Sequence, residues 1–146
     1  PHHIYDTVEV RICDMPTSMK DTVAIVALIQ SLMGKLYLMY RRNTAWRSYS
    51  RSLIEENKWR ALRFGANAKM IDFGRKEERP FAELIDEMID FVSEATSIFG
   101  TEKYLEHVRT IAREGTSAHR QIEVFEKTAD LKKVVDWMMA ETMRGI

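Results

Sequence analysis

The chain opens on an alternation. In residues 7–14, TVEVRICD, Val8, Val10 and Ile12 fall on one side and Glu9, Arg11 and Cys13 on the other. That period of two marks a half-buried β-strand. Asp14, Met15 and Pro16 end the run. From Lys20 to about Tyr40 the pattern becomes a helix apolar on most faces, VAIVALI and then LYLMY, and so apolar a helix is usually the central one of its domain. Thr17 or Ser18 is placed to cap it, with Asp21 three after Ser18 as a capping-box partner. Gly34 inside it costs about 1 kcal/mol of helix propensity, tolerable where it admits a close neighbour.

Residues 41–51, RRNTAWRSYSR, break the periodicity and read as an irregular basic segment. A second helix, SLIEENKWRALRFG, begins near Ser52 with Glu55 in capping-box position and stops at Gly65. Residues 66–80 read mostly as loop, with a short extended piece at MIDF and Pro80 opening the next helix. Three or four amphipathic helices follow, over about 80–99, 102–114, 117–128 and 130–143. Gly100 and Gly115 supply C-terminal stops and Asp130 a cap. One strand cannot form a sheet. An isolated strand with about five packed helices is therefore a mainly helical piece of an α/β protein, its other strands missing or supplied by a partner.

Composition sharpens this picture only in places. A chain of 146 residues, 45% hydrophobic and 30% charged, fits one soluble domain. Lys and Arg (22) balance Asp and Glu (22), so no global basic field argues for nucleic acid. The balance is uneven: residues 35–63 hold eight basic and two acidic side chains, residues 76–106 three basic and nine acidic. The basic zone either faces an anionic ligand or pairs with the acidic one. A single cysteine, Cys13, rules out an internal disulfide and fits a reducing compartment. The opening residues lack the organisation of a signal peptide, and the longest uninterrupted apolar run, residues 23–29, is too short to cross a bilayer. A cytoplasmic protein with no membrane partner is expected.

Two clusters can carry chemistry. Glu9 and Arg11 would share a strand face about 6.5–7 Å apart, too far for a direct bond between fixed stems. That spacing suits a divided task, the carboxylate holding Mg²⁺ and the guanidinium neutralising a phosphate; it equally suits two charges on a wet face. On the second helix, Glu56, Asn57, Arg60 and Arg63 form a polar stripe opposite Leu53, Trp59 and Leu62. Glu56 and Arg60 make an ordinary i,i+4 pair worth about 0.2–0.5 kcal/mol. Asn57 is the oddity, because an amide is unhelpful inside a helix; with Arg60 it could read the polar head of a carboxylate or nucleotide. The segment RRNTAWRSYSR is open to three readings: a contact to single-stranded nucleic acid through its Arg and aromatics, a loop over an anionic site, or a surface loop anchored by its aromatics, and the absence of basic surface elsewhere disfavours the first. His2, His3, His107 and His119 make no metal-ligand spacing with Cys13. No GxxxxGK[ST], GxGxxG or GxSxG motif is present. The nine Met follow helix periodicity and read as packing.

TVEVRICDMPTSMKDTVAIVALIQSL, then ENKWRALRFG, then GTSAHRQIEVFEKTADLKKVVDWM, resembles the carboxylate-amine ligases, also called the type 2 glutamate–cysteine ligase family. The resemblance spans almost the whole chain. It implies a glutamine synthetase-like fold, an antiparallel sheet flooring an ATP site with helices outside. It also implies ATP- and Mg²⁺-dependent conversion of a carboxylate to an acyl phosphate that an amine attacks. By the same resemblance Glu9 is a metal-binding carboxylate, Arg11 and Arg60 act on the reacting groups, and Asn57 and Arg63 line the nucleotide or substrate pocket. Asp14 orients the strand end. Proteins of that family are longer, and the chain resembles their C-terminal part. Their first acidic motif, Gly-x-Glu-x-Glu, has no match here. The chain alone is therefore expected to be inactive, to need the N-terminal part of the same protein, and to self-associate, as family enzymes are expected to.

Overall fold

The computed structural model describes residues 3–144, so His2 lies outside the described residues. Helix α1 (Met19–Arg41) is followed by α2 (Arg51–Phe64), a hairpin of β1 (Lys69–Asp72) and β2 (Glu77–Pro80), and helices α3 (Phe81–Phe99), α4 (Glu102–Glu114), α5 (Ser117–Thr128) and α6 (Leu131–Met143). The chain is mainly helical, as expected, with six α-helices among the described residues where about five were expected.

Small side chains decide how the helices meet. The inner face of α1 presents Ala24, Ala27, Ser31 and Gly34, spaced three and four apart. Ala24 and Ala27 pack with Ile89 and Val92 of α3 and Leu105 and Val108 of α4 to form the core. At Gly34 the approach is closest: a Cβ there would lie 2.4 Å from Phe99 Cε2. The propensity cost of that glycine is thus offset by α3 drawing near. Buried Ser31 is satisfied by a 3.0 Å hydrogen bond with Thr101, as a polar group in a core must be. The outer face of α1 is solvent-exposed and apolar. By length and composition α1 could cross a membrane, with a mean hydropathy of 1.6 over 18 residues. The run of residues 23–29 understates this, because Gln30, Ser31, Gly34 and Lys35 interrupt a longer apolar stretch. Its inner face, however, is committed to α3 and α4.

The strand expected over residues 7–14 does not form. No backbone group of residues 8–13 has a backbone partner among the described residues, and Val8, Val10 and Ile12 are exposed. Alternation supplies a face, but a strand needs an edge to pair with, and the described chain offers none to this segment. The loop expected over residues 66–80 is mostly hairpin instead. β1 pairs antiparallel with β2, Ile71 opposite Glu78 and Met70 opposite Arg79. The extended piece at MIDF was legible; its partner EERP was not, since three charges and a proline read as loop. Asp72 Oδ1 closes the turn by accepting from the N–H groups of Gly74 (2.8 Å) and Arg75 (3.0 Å), an Asx-type turn.

The caps are also partly rearranged. Ser18 Oγ accepts from Asp21 N at 3.4 Å, but the Asp21 carboxylate turns inward, so only half the capping box exists. α2 starts after Ser50 without a side-chain cap, and Glu55 pairs with Lys58 and Arg51 instead. Asp130 caps α6 as expected, accepting from Lys132 N at 2.8 Å.

Candidate functional site

Asn57 and Arg60 lie one turn apart on α2, and both reach the free edge of β1. The Asn57 amide forms two bonds with one residue: Nδ2 donates to Ile71 O (2.9 Å) and Oδ1 accepts from Ile71 N (2.8 Å). It mimics a neighbouring strand. Arg60 Nη1 donates to Lys69 O at 3.0 Å, two residues back along β1. A helix advances about 4.5 Å over three residues and a strand about 6.7 Å over two, a gap the longer arginine stem spans. α2 thereby seals an edge that would otherwise be open, which is the reason for an asparagine in mid-helix.

Arg60 is pinned further by Glu56 (Nε to Oε1, 2.8 Å) and Glu78 of β2 (Nη1 to Oε1, 2.8 Å). The Glu56 hydrogen bond, then that of Glu78, raises its pKa above the ordinary arginine value, so it is a permanent cation. Its Nη2 has no protein partner among the described residues. Glu56, Trp59, Arg60, Phe64, Lys69 and Glu78 all line a cleft of about 270 Å³ between α2 and the hairpin. Trp59 and Phe64 meet edge to face, centroids 5.8 Å apart, and form its apolar wall. Arg63 is exposed beside the cleft, its guanidinium 5.6 Å over the Phe64 ring. The arrangement combines a held guanidinium with an uncommitted N–H edge and two aromatic surfaces, a set suited to a ligand with an anionic group and a flat or apolar portion.

Glu9 and Arg11 do not join this cluster. Arg11 Nη2 bonds Glu9 Oε2 at 2.8 Å, with side chains 81% and 54% exposed. With no strand to fix their stems, the two long side chains close the distance that strand geometry would have left between them. No hydrogen bond or ion pair links either residue to α2 among the described residues. The basic and acidic zones pair in part: Lys35 and Arg42 both hold Glu94, and Arg60 holds Glu78. The segment after α1 is anchored by its aromatics, Trp46 on Phe91 (4.7 Å) and Tyr49 on Phe73 (5.0 Å).

A second polar centre lies inside the bundle. The Asp21 carboxylate, 5% exposed, accepts from His107 Nε2 of α4 at 2.7 Å and from Arg120 Nη2 of α5. This fastens the start of α1 to α4 and α5. Next to Arg120, His119 packs its ring against Gly65, where a Cβ would lie 2.5 Å from Cε1. Gly65 also has φ +58°, a conformation glycine adopts freely. ENKWRALRFG and GTSAHRQ therefore touch at Gly65 and His119. Sequence spacing showed none of Trp59, Lys69, Glu78, Asp21, His107, His119 or Arg120 as part of a centre; all but Trp59, which meets Phe64 on its own helix, gain the partner described here from another element. The nearest sequence signals were a mid-helix asparagine and the Gly74 turn of the hairpin.

The model of glutamate–cysteine ligase family 2 matches residues 1–137. The chain belongs to that family. It is 51% identical over its full length to a protein of Sorangium cellulosum, 48% to one of Solibacter usitatus and 42% to one of Herpetosiphon aurantiacus, all provisionally named glutamate–cysteine ligase 2. In each case the match covers 100% of this chain but only 38–39% of the relative. The chain thus spans under two-fifths of the length of these family members. No solved structure matches it.

Proposed function

We propose that this chain is the C-terminal part of an ATP- and Mg²⁺-dependent ligase that joins a carboxylate, glutamate in the first instance, to an amine, cysteine in the first instance, through an acyl phosphate. Family membership supports the ligase class. The observation that carries the reading to named residues is the meeting of ENKWRALRFG and GTSAHRQ beside a cleft with Arg60 in its wall. The proposal assigns Arg60 and Arg11 to charge on the reacting groups, Asn57 and Arg63 to the pocket rim and Glu9 to the metal. Asn57 then acts by holding β1 in place, since its amide is fully engaged with Ile71.

The residues present do not by themselves fit Mg²⁺. Among the described residues no three His, Cys, Asp or Glu side chains gather as metal ligands, and Glu9 is bonded to Arg11. A hard divalent cation needs several oxygen ligands, so the remaining ones belong, in this reading, to the rest of the longer polypeptide. What this chain contributes is positional. Arg60 is held by Glu56, Glu78 and the Lys69 carbonyl and can present Nη2 to an anion without reorganising, the property that makes electrostatic stabilisation effective. The fragment is proposed to be inactive alone, cytoplasmic and, in the whole enzyme, part of a homo-oligomer.

The test uses the longer polypeptide that carries this chain. Glu9→Gln, Arg11→Ala and Arg60→Ala are each expected to lower ATP-dependent ligation, read as ADP release with glutamate and cysteine, by about 10²-fold or more. Wild-type rates in Glu9→Gln and Arg11→Ala would remove both residues from the chemistry. That outcome would favour a second reading, a non-catalytic helical module whose residues 7–14 pair with a partner strand; the exposed position of the Glu9–Arg11 pair is what speaks for it.

A further inference from the structure

Helix α1 is built the wrong way round for a helix at a finished surface. Its small residues, Ala24, Ala27, Ser31 and Gly34, face the core with Leu28 and Leu32 packed beside them, while a second set of large residues faces water. Met19, Val23, Val26, Met33, Tyr37 and Tyr40 are all exposed, Val26 and Tyr37 at 57% each. With Gln30 they recur at alternating spacings of four and three along the whole helix, a continuous stripe along one side. Isolated exposed apolar residues need no explanation, but a contiguous apolar stripe marks a surface that is normally covered. Directly before it, residues 8–13 alternate like a strand while their backbone groups have no backbone partner among the described residues.

We infer that the outer face of α1 and residues 8–12 dock the remainder of the family's longer polypeptide, through a surface that is apolar at its centre, acidic at its margin and bordered by an open strand edge. Three observations select this occupant. The relatives are longer than the matched region by about three-fifths of their own length, so ample chain exists to form the cover. The stripe is flanked by Lys20 and Arg41, of which Lys20 has no ion pair among the described residues and Arg41 meets the Tyr37 hydroxyl; a second copy of α1 in either orientation would set cation against cation. A lipid surface could take the stripe but offers no strand edge for residues 8–12. The inference rests on family membership, not on the reaction proposed above.

The experiment co-expresses this chain, tagged, with the part of the Sorangium cellulosum relative that it does not match. An equimolar complex is expected, with slowed amide exchange at residues 8–12. The double variant Val26→Glu, Tyr37→Glu should lower recovery of the complex at least about tenfold while leaving the helical circular dichroism and unfolding midpoint of the isolated chain unchanged; Val26→Leu should retain the complex. The inference is overturned by absence of a complex, or by a complex that the double variant leaves intact. It is equally overturned if α1 mediates self-association or binding to phosphatidylserine vesicles in place of the complex. A complex that forms but does not turn over would leave the docking surface standing and count against the ligase reading alone.

Discussion

Two stretches of this chain compete for the name of strand, and the weaker pattern wins. TVEVRICD alternates cleanly, with three β-branched residues on one side, yet its residues 8–13 find no backbone partner among the described residues and stay exposed. EERP has three charges and a proline, yet it pairs with KMID in register. The difference lies in what stands alongside. β2 is delivered to β1 by a tight turn held by Asp72, and the far edge of β1 is occupied by Asn57 and Arg60 of α2. Among the described residues, 7–14 have no such neighbour. A strand is a property of pairing, and propensity expresses itself only once an edge is available.

The largest effect comes from removing the frame on which both regions are mounted. Asp21→Ala leaves Arg120 and His107 without their buried acceptor, in a place where Arg120 Nε already has no partner among the described residues. A loss on the order of 3 kcal/mol in urea unfolding is expected, and a loss below about 0.5 kcal/mol would show the centre to be solvated. Asn57→Ala tests the sealed edge directly. It strips both partners from the Ile71 backbone and should cost about 1–3 kcal/mol, with faster amide exchange concentrated in the hairpin. Uniform exchange across the chain would mean that α2 does not hold β1.

Acid titration tests how the basic segment is fastened beside the bundle. Hydrogen bonds from Arg42, then Lys35, bring the Glu94 carboxyl down from 4.5 to about 2. A depressed carboxyl contributes stability that is present above pH 4.5 and is lost as pH falls toward 2. Glu94→Gln should therefore flatten the fall in melting temperature over that window; an unchanged slope would show the pair to be open in solution. The smallest effect belongs to the unpaired segment. Val10→Ser in the isolated chain should change stability by less than about 0.5 kcal/mol, because Val10 is exposed and lies outside the core cluster. A larger loss would mean that residues 7–14 already have a partner in this chain.

The sequence by itself determined the helices and most of their ends. α4 and α5 fall where periodicity, Gly100 and Gly115 put them, because helix period, caps and stops are set by neighbours within a turn or two. It also singled out Glu9, Arg11, Asn57, Arg60 and Arg63, residue types that stand out from their surroundings. Only the tertiary structure decided what they touch. It showed Asn57 serving a strand edge, Arg60 shared among Glu56, Glu78 and a carbonyl, and Glu9 closing on Arg11. It turned the Asp21 carboxylate away from the cap toward residues 86 and 99 positions away. It also chose which side of α1 faces in, a choice that a helix apolar on most faces leaves open. Burial and pairing are settled between elements far apart in the chain, where no local pattern reaches.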